Sequence, residues 1–328
     1  MNITILGAGT WGTALAVSLA PRHQVVLWGR NEQRMQEADR ARSHQGFSLP
    51  TSLQISSDLT SALAHIDHPN SLLIVGSSVA GLRPLCTLLR SHPVPNLVWL
   101  CKGLEEQSLL LPHQIVQQEL GDKLPCGALS GPSFAQEVAD GQPCALTIGT
   151  TFPLLSDLVV SAIHGPSIRV YSSDDLVGVE VGGAVKNILA IATGIADGLG
   201  LGLNAREALI TRGLAEITRL GLALGGRSET FMGLTGIGDL ILTCTGDLSR
   251  NRRVGLALAQ GKPLAQIVQE LGHVAEGVRC AQAVQALSQQ LNVEMPITNA
   301  VADVLFKGDS PKHMVQKLLA RGAKAELN

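Results

Sequence analysis

One short segment, Gly7-Ala8-Gly9-Thr10-Trp11-Gly12, constrains this 328-residue chain more than any other. It follows the apolar run Ile3–Leu6 and opens the helical run Thr13–Leu19. With 35 glycines in the chain, a G-x-G-x-x-G pattern can arise by chance. Between a strand and a helix it has the context of a dinucleotide-binding turn. Gly7 permits the tight turn, Gly9 lets backbone approach a pyrophosphate, and Gly12 lets helix and strand pack closely. The free N–H groups of the helix N-terminus then face the anion. The bland alternative is an ordinary strand–turn–helix junction.

The end of the second strand separates the two nicotinamide cofactors. An NAD site usually carries an acid there to hold the ribose 2′-hydroxyl. This chain has Trp28-Gly29-Arg30-Asn31, and its first acid is Glu32. Arg30 can pair with a 2′-phosphate. NADP is therefore favoured over NAD, unless Arg30 is only a solvated loop residue.

Up to about residue 170, β-rich runs alternate with helical patterns. The runs are Ile3–Leu6, Val25–Trp28, Leu72–Val75, Leu97–Cys101, Cys126–Leu129, Ala145–Ile148 and Ile168–Tyr171. Short apolar runs separated by helices indicate βαβ units on a parallel sheet. Beyond residue 172 the strand signal stops. A long Ala/Val/Ile/Gly helix is expected from Asp174 to about Gly198, then one starting at Asn204 with Glu207 as a capping box. Further helices are expected near 251–260, 263–271, 276–291 and 311–320. The expectation is an α/β chain: a Rossmann-type parallel-sheet domain over residues 1–172, then an all-α domain over residues 173–328.

Composition excludes several partner classes. Lys plus Arg number 25 against 27 Asp plus Glu, so no broad field draws nucleic acid or a membrane surface. No apolar run of about 18 residues stands out as a membrane span. The chain opens directly on its first strand, so a cytoplasmic protein without a leader is expected. Six cysteines lie at no metal-ligand or C-x-x-C spacing, and a core-thiol role is favoured over a metal site. A helical half of this size can support a homodimer, although no exposed stripe marks an interface.

In an open α/β sheet, ligands collect beyond the carboxyl ends of the strands. Lys102-Gly103 ends one strand and Ser130-Gly131-Pro132-Ser133-Phe134-Ala135 the next. In the long helix, Gly182-Gly183 precede Lys186 by one turn. Interior helical glycines each cost about 1 kcal/mol relative to alanine, so something must approach that face closely. A desolvated lysine can serve as a general acid or base near neutrality. The alternative is a lysine snorkelling at a domain interface. Asp239 follows the Gly-rich segment 233–238, and Ser249-Arg250-Asn251 opens a helix suited to a phosphate. Arg252 and Arg253 fit a solvated basic face better. Glu276 lies in a loop whose role the residues alone do not give.

Together these blocks resemble the bacterial-type NAD(P)-dependent sn-glycerol-3-phosphate dehydrogenase family nearly end to end: Gly7–Ala16, Val25–Gly29, Lys102-Gly103, Ser130–Glu137, Gly178–Asn187, Asn204–Arg219, Phe231–Asp247, Ser249–Arg253 and Glu276-Gly277. The resemblance implies reduction of dihydroxyacetone phosphate to sn-glycerol 3-phosphate for phospholipid synthesis. It also implies a helical domain like that of 6-phosphogluconate dehydrogenase. Lys186 would be the proton donor and acceptor. Lys102, Gly131, Ser133, Asp239, Ser249, Arg250 and Asn251 would contact the substrate. Thr10, Trp11, Arg30, Lys102, Ala135, Arg250, Val274 and Glu276 would contact the cofactor beside Gly7, Gly9 and Gly12.

The chain departs from the family where Val-Pro-Ser is usual, having Val75-Gly76-Ser77-Ser78. That leaves this loop's contact open, and the short segment 41–48 receives no transferred role. A 6-phosphogluconate-type dehydrogenase and a non-catalytic nucleotide sensor are the competing readings. Ser249–Arg253 speaks against the first, and the intact Lys102, Lys186 and Asp239 against the second.

Overall fold

A computed structural model of the chain describes residues 1–272, 275–322 and 325. Strand β1 (Asn2–Leu6), buried over its last four residues, lies inside an eight-stranded sheet of order β10-β9-β8-β7-β6-β1-β2-β5. The others are β2 (Gln24–Trp28), β5 (Gln54–Ser56), β6 (Leu72–Val75), β7 (Leu97–Trp99), β8 (Cys126–Ser130), β9 (Cys144–Gly149) and β10 (Ile168–Ser173). Two short strands, β3 (Ser43–His44) and β4 (Phe47–Ser48), form a separate hairpin. Each apolar run seen in the sequence is a strand. The edge strand β5 and the hairpin were not foreseen.

Helices α1 (Thr10–Leu19), α2 (Glu32–Ala41), α3 (Leu59–Ala64), α4 (Val79–Leu89), α5 (Pro112–Leu120), α6 (Ala135–Ala139) and α7 (Pro153–Ile163) connect the strands. Residues Ile3, Ile5 and Leu27 face one buried core, and Leu6, Val26 and Leu73 face another, so both sides of the sheet are covered. This is the Rossmann-like arrangement expected. After β10 come α8 (Leu176–Gly198), α9 (Leu203–Ala223) and α10 (Ser228–Phe231), followed by a π-helical turn at Leu234–Gly238. Then follow α11 (Asp239–Thr245), α12 (Arg250–Ala259), α13 (Leu264–Leu271), α14 (Glu276–Gln290), α15 (Pro296–Phe306) and α16 (Pro311–Leu319). They pack into a third core around α8, with Ile188, Ile191 and Ile195 fully buried.

The sheet is not wholly parallel, which corrects the sequence expectation. β9 pairs antiparallel with β8, in the register Ala128↔Gly149 and Ser130↔Thr147, and β10 runs parallel to β9. Strand direction leaves no trace in a run of buried apolar residues, so the reversal was not readable. It has a structural consequence. The chain leaves β10 at the opposite end of the sheet from the glycine turn, and α8 climbs the sheet face from there. Val179 packs on Gly149, where a Cβ would come within 2.8 Å. Glu180 then accepts a bond from Trp99 Nε1 at 3.0 Å, and Gly183 passes Ser130. Lys186 thus arrives at the carboxyl ends of β7 and β8.

Two further expectations change. Helix α9 starts at Leu203 with Gly202 as its cap, at φ 84°, and no side-chain cap bond forms. Gly200 and Gly202 turn the chain so that the cap falls two residues before the Asn204 of the expected capping box. Helix α8 is long and apolar enough to cross a membrane by length and composition, contrary to the sequence reading. Its most apolar window is 94% buried inside the protein, so the core accounts for its apolarity.

Candidate active site

The glycine turn has the shape a dinucleotide needs. Gly7 sits at φ 123°, and a Cβ there would come within 2.7 Å of Gly76. A Cβ on Gly12 would overlap the Gly7 carbonyl. A Cβ on Gly76 would in turn come within 3.1 Å of Gly12 Cα and the Gly7 carbonyl. Three glycines therefore bring the exits of β1 and β6 and the first turn of α1 together. Gly9 is exposed at the mouth of the turn, ahead of Thr10 and Trp11 in the first turn of α1. With free N–H groups at a ten-residue helix N-terminus, this cradle fits a pyrophosphate. Arg30 is exposed at the end of β2, which flanks β1 in register Leu6↔Trp28.

Trp11 joins the turn to the loop that follows β8, since its Nε1 donates to the Ser133 carbonyl at 3.3 Å. Ser133 Oγ donates to the Gly131 carbonyl at 3.2 Å, and Ala135 starts α6 just beyond. Gly131 takes φ 136°, and a Cβ there would crowd the Ala145 carbonyl at 2.9 Å. Lys102 Nζ also donates to the Gly131 carbonyl, at 3.3 Å.

Asp239 is the hub of the site. Its Oδ1 accepts from Lys186 Nζ at 2.5 Å and its Oδ2 from Lys102 Nζ at 2.7 Å. Lys186 also donates to Thr243 Oγ1 at 2.8 Å, and Thr243 in turn donates to the Asp239 carbonyl at 2.6 Å. The close approach inferred from Gly182-Gly183 is real. A Cβ on Gly182 would overlap the Thr235 carbonyl of the π turn, and one on Gly183 would press on Lys102 and Ser130 at 3.1–3.3 Å. Those glycines let the π turn that leads into Asp239 lie directly on α8. The snorkelling alternative for Lys186 fails, because the residue is only 6% exposed and its ammonium is bonded.

Burial pulls the Lys186 ammonium down to about 8; attraction to Asp239 opposes the shift and repulsion from Lys102 adds to it. Burial would raise the Asp239 carboxyl, but the two ammonium groups outweigh it and hold it below the usual carboxylate range. The site thus keeps an ionised carboxylate beside a lysine poised near neutrality.

At α12, Ser249 is the N-cap, and its Oγ accepts from Arg252 N at 3.2 Å. Arg250 is exposed at the first helical position. Asn251 is buried, with Nδ2 donating to Asn187 Oδ1 and Oδ1 accepting from Gly277 N, both at 2.9 Å. Asn187 also donates weakly to Glu276 Oε2 at 3.4 Å. Burial raises the Glu276 carboxyl, against the pull of Lys102, Arg250 and Lys186. So Glu276, whose role the residues alone did not give, lies in the field of the same cations. Val274 lies outside the described residues. Arg252 is not on a solvated face. Its guanidinium donates to Asp197 at 2.8 and 3.0 Å and to Asp247 at 2.9 Å, tying α12 to the end of α8.

Thr243 and Asn187 received no role from the sequence. Thr243 follows Asp239 by one turn of α11, a helix whose pattern was not recognised, and that i, i+4 spacing was the available signal. Asn187 is adjacent to Lys186, but its partners come from α12 and α14, which only packing brings together.

Residues 2–153 match the family model described as NAD-dependent glycerol-3-phosphate dehydrogenase N-terminus, and residues 175–316 match that of its C-terminus. The chain is 67% identical over 331 residues to glycerol-3-phosphate dehydrogenase [NAD(P)+] of Herminiimonas arsenicoxydans, covering 100% of both. It superposes on the crystal structure of glycerol-3-phosphate dehydrogenase from Coxiella burnetii with a TM-score of 0.92 at 40% identity, covering 97% of this chain and 98% of that one. For the GPD1 glycerol-3-phosphate dehydrogenase of Saccharomyces cerevisiae, the TM-score is 0.81 at 26% identity, with 96% and 98% covered. The chain belongs to the NAD(P)-dependent glycerol-3-phosphate dehydrogenase family of oxidoreductases.

Proposed function

We propose that the chain reduces dihydroxyacetone phosphate to sn-glycerol 3-phosphate, reversibly, and so supplies the glycerol backbone of phospholipids. The observation that carries this reading is the Lys186–Asp239–Lys102 cluster at the carboxyl ends of β7 and β8. A nicotinamide cofactor held at the glycine turn would supply a hydride to the substrate C2. Lys186 delivers a proton to the oxygen on that carbon, and its charge stabilises the developing alkoxide beforehand. Asp239 fixes the Lys186 ammonium in place, and Lys102 adds a second positive charge across the same carboxylate.

Arg250, exposed at the start of α12, takes the substrate phosphate, with Asn251 offering its remaining amide hydrogen. Holding the phosphate orients the carbonyl for attack. Gly131 and Ser133 line the substrate from the end of β8, and Ser249 contributes from the cap of α12. Gly7, Gly9, Thr10, Trp11 and Gly12 hold the cofactor pyrophosphate, while Ala135, Val274 and Glu276 contact the cofactor further along. Arg30 at the exposed end of β2 supports a preference for NADPH over NADH. In this reading the dinucleotide unit ends at residue 172 and the substrate-binding unit begins at 173. The six free thiols support a reducing, cytoplasmic setting.

The test is oxidation of NADPH, followed spectrophotometrically with dihydroxyacetone phosphate and, separately, reduction of NADP with 6-phosphogluconate. Turnover with the first alone is expected. No turnover with dihydroxyacetone phosphate sinks the reading.

A further inference from the structure

The β3–β4 hairpin falls in the segment to which the family resemblance gave no role, yet it reaches back onto the glycine turn. Its two turn residues, Gln45 at φ 54° and Gly46 at φ 85°, are both left-handed. Such a turn favours Asn-Gly, and a glutamine rarely adopts that conformation without compensation. Phe47, 4% exposed, anchors the hairpin in the core between sheet and helices. The Arg42 guanidinium is spent on Asp39 and the carbonyls of Pro50 and Leu53, which fixes the hairpin's base.

From this anchored position the turn sends two side chains to the same backbone oxygen. His44 Nε2 donates to the Ala8 carbonyl at 2.9 Å, and Gln45 Nε2 donates to it at 3.2 Å. A carbonyl only accepts, so the His44 proton must sit on Nε2. Because the Ala8 carbonyl only accepts, it must face Gln45 Nε2, which leaves Oε1 to accept from Thr10 Oγ1 at 3.4 Å. The Ala8 carbonyl belongs to the turn whose N–H groups face an anion, and its lone pairs would repel a phosphate. Two donors neutralise it. The Gln45 carboxamide, held against the first residue of α1, keeps one amide hydrogen to offer.

We propose that the β3–β4 hairpin is a further part of the dinucleotide site, with the Gln45 carboxamide contacting the pyrophosphate and His44 positioning the glycine turn. The inference rests on the NAD(P) reading of the turn.

It is tested on the full chain by measuring the binding of NADPH and of adenosine 2′,5′-bisphosphate, which lacks the pyrophosphate. Gln45→Gly removes the carboxamide and also suits the left-handed turn. It should weaken NADPH about five- to tenfold, the size of one or two lost hydrogen bonds. The bisphosphate should weaken less than about twofold, and the melting temperature should stay at or above that of the parent. His44→Ala should weaken NADPH, and His44→Gln, which keeps a donor, should recover part of the loss. Unaltered NADPH affinity in Gln45→Gly, an equal loss for both probes, or a loss accompanied by a lower melting temperature would overturn the assignment. Failure of the parent chain to bind NADPH would instead overturn the cofactor reading beneath it.

Discussion

Asp239 accepts a hydrogen bond from Lys186 at 2.5 Å through Oδ1, leaving Oδ2 for Lys102 at 2.7 Å. One buried carboxylate therefore divides its charge between two cations. Removing either partner from a buried pair leaves an uncompensated charge, so the cluster acts as a unit.

The first prediction concerns pH. Lys186 sits at about 8 and must be protonated to act as an acid. The kcat/KM for ketone reduction should fall as pH rises through about 8, and that for alcohol oxidation should rise through the same range. Asp239 attracts the ammonium and so raises its pKa. Asp239→Asn should then move the alkaline limb of the reduction profile to lower pH. Paired pH–rate profiles check this, and a limb that stays put or moves upward would contradict it.

The phosphate contact gives a second prediction. Arg250→Ala should raise the KM for dihydroxyacetone phosphate by about tenfold or more, the weight of a charge-assisted bond. The KM for NADPH should rise less. Steady-state kinetics with each substrate varied in turn separates the two effects, and equal or negligible changes would count against a phosphate clamp.

A third prediction lies away from the chemistry. Glu216 on α9 is 1% exposed and accepts from Ile297 N at 2.6 Å, Thr298 N at 3.0 Å and Thr298 Oγ1 at 2.9 Å. It satisfies the orphan N–H groups that open α15. Glu216→Ala strands buried donors and should cost about 3 kcal/mol in denaturant unfolding. A loss below about 1 kcal/mol would mean that those donors find other partners.

Legibility in the sequence follows the range of the interactions involved. The glycine turn could be read because strand, turn and helix are local, and Gly7 and Gly12 each carry a backbone requirement. Lys186 could be read because Gly182 and Gly183 advertise a close neighbour one turn away. The identity of that neighbour, the Thr235 carbonyl, could not, since the π turn depends on packing against α8. Thr243 was hidden with its helix. Arg252 looked like surface because its partner Asp197 lies 55 residues away on another helix. The reversal at β9 was invisible, because buried strands of either direction carry the same apolar run. The hairpin at 43–48 is too short for any periodicity, and with glutamine in place of asparagine before Gly46 its turn carries only a weak signal.

The central claim is that Lys186 carries the proton in the reduction of dihydroxyacetone phosphate. Lys186→Met keeps an unbranched side chain one atom shorter and removes its charge, and NADPH binding measured alongside controls for the fold. The account predicts a kcat for NADPH oxidation with dihydroxyacetone phosphate lowered by about 10² to 10⁴, with NADPH still bound. A variant that folds, binds NADPH and turns over at the parent rate would remove Lys186 from the chemistry.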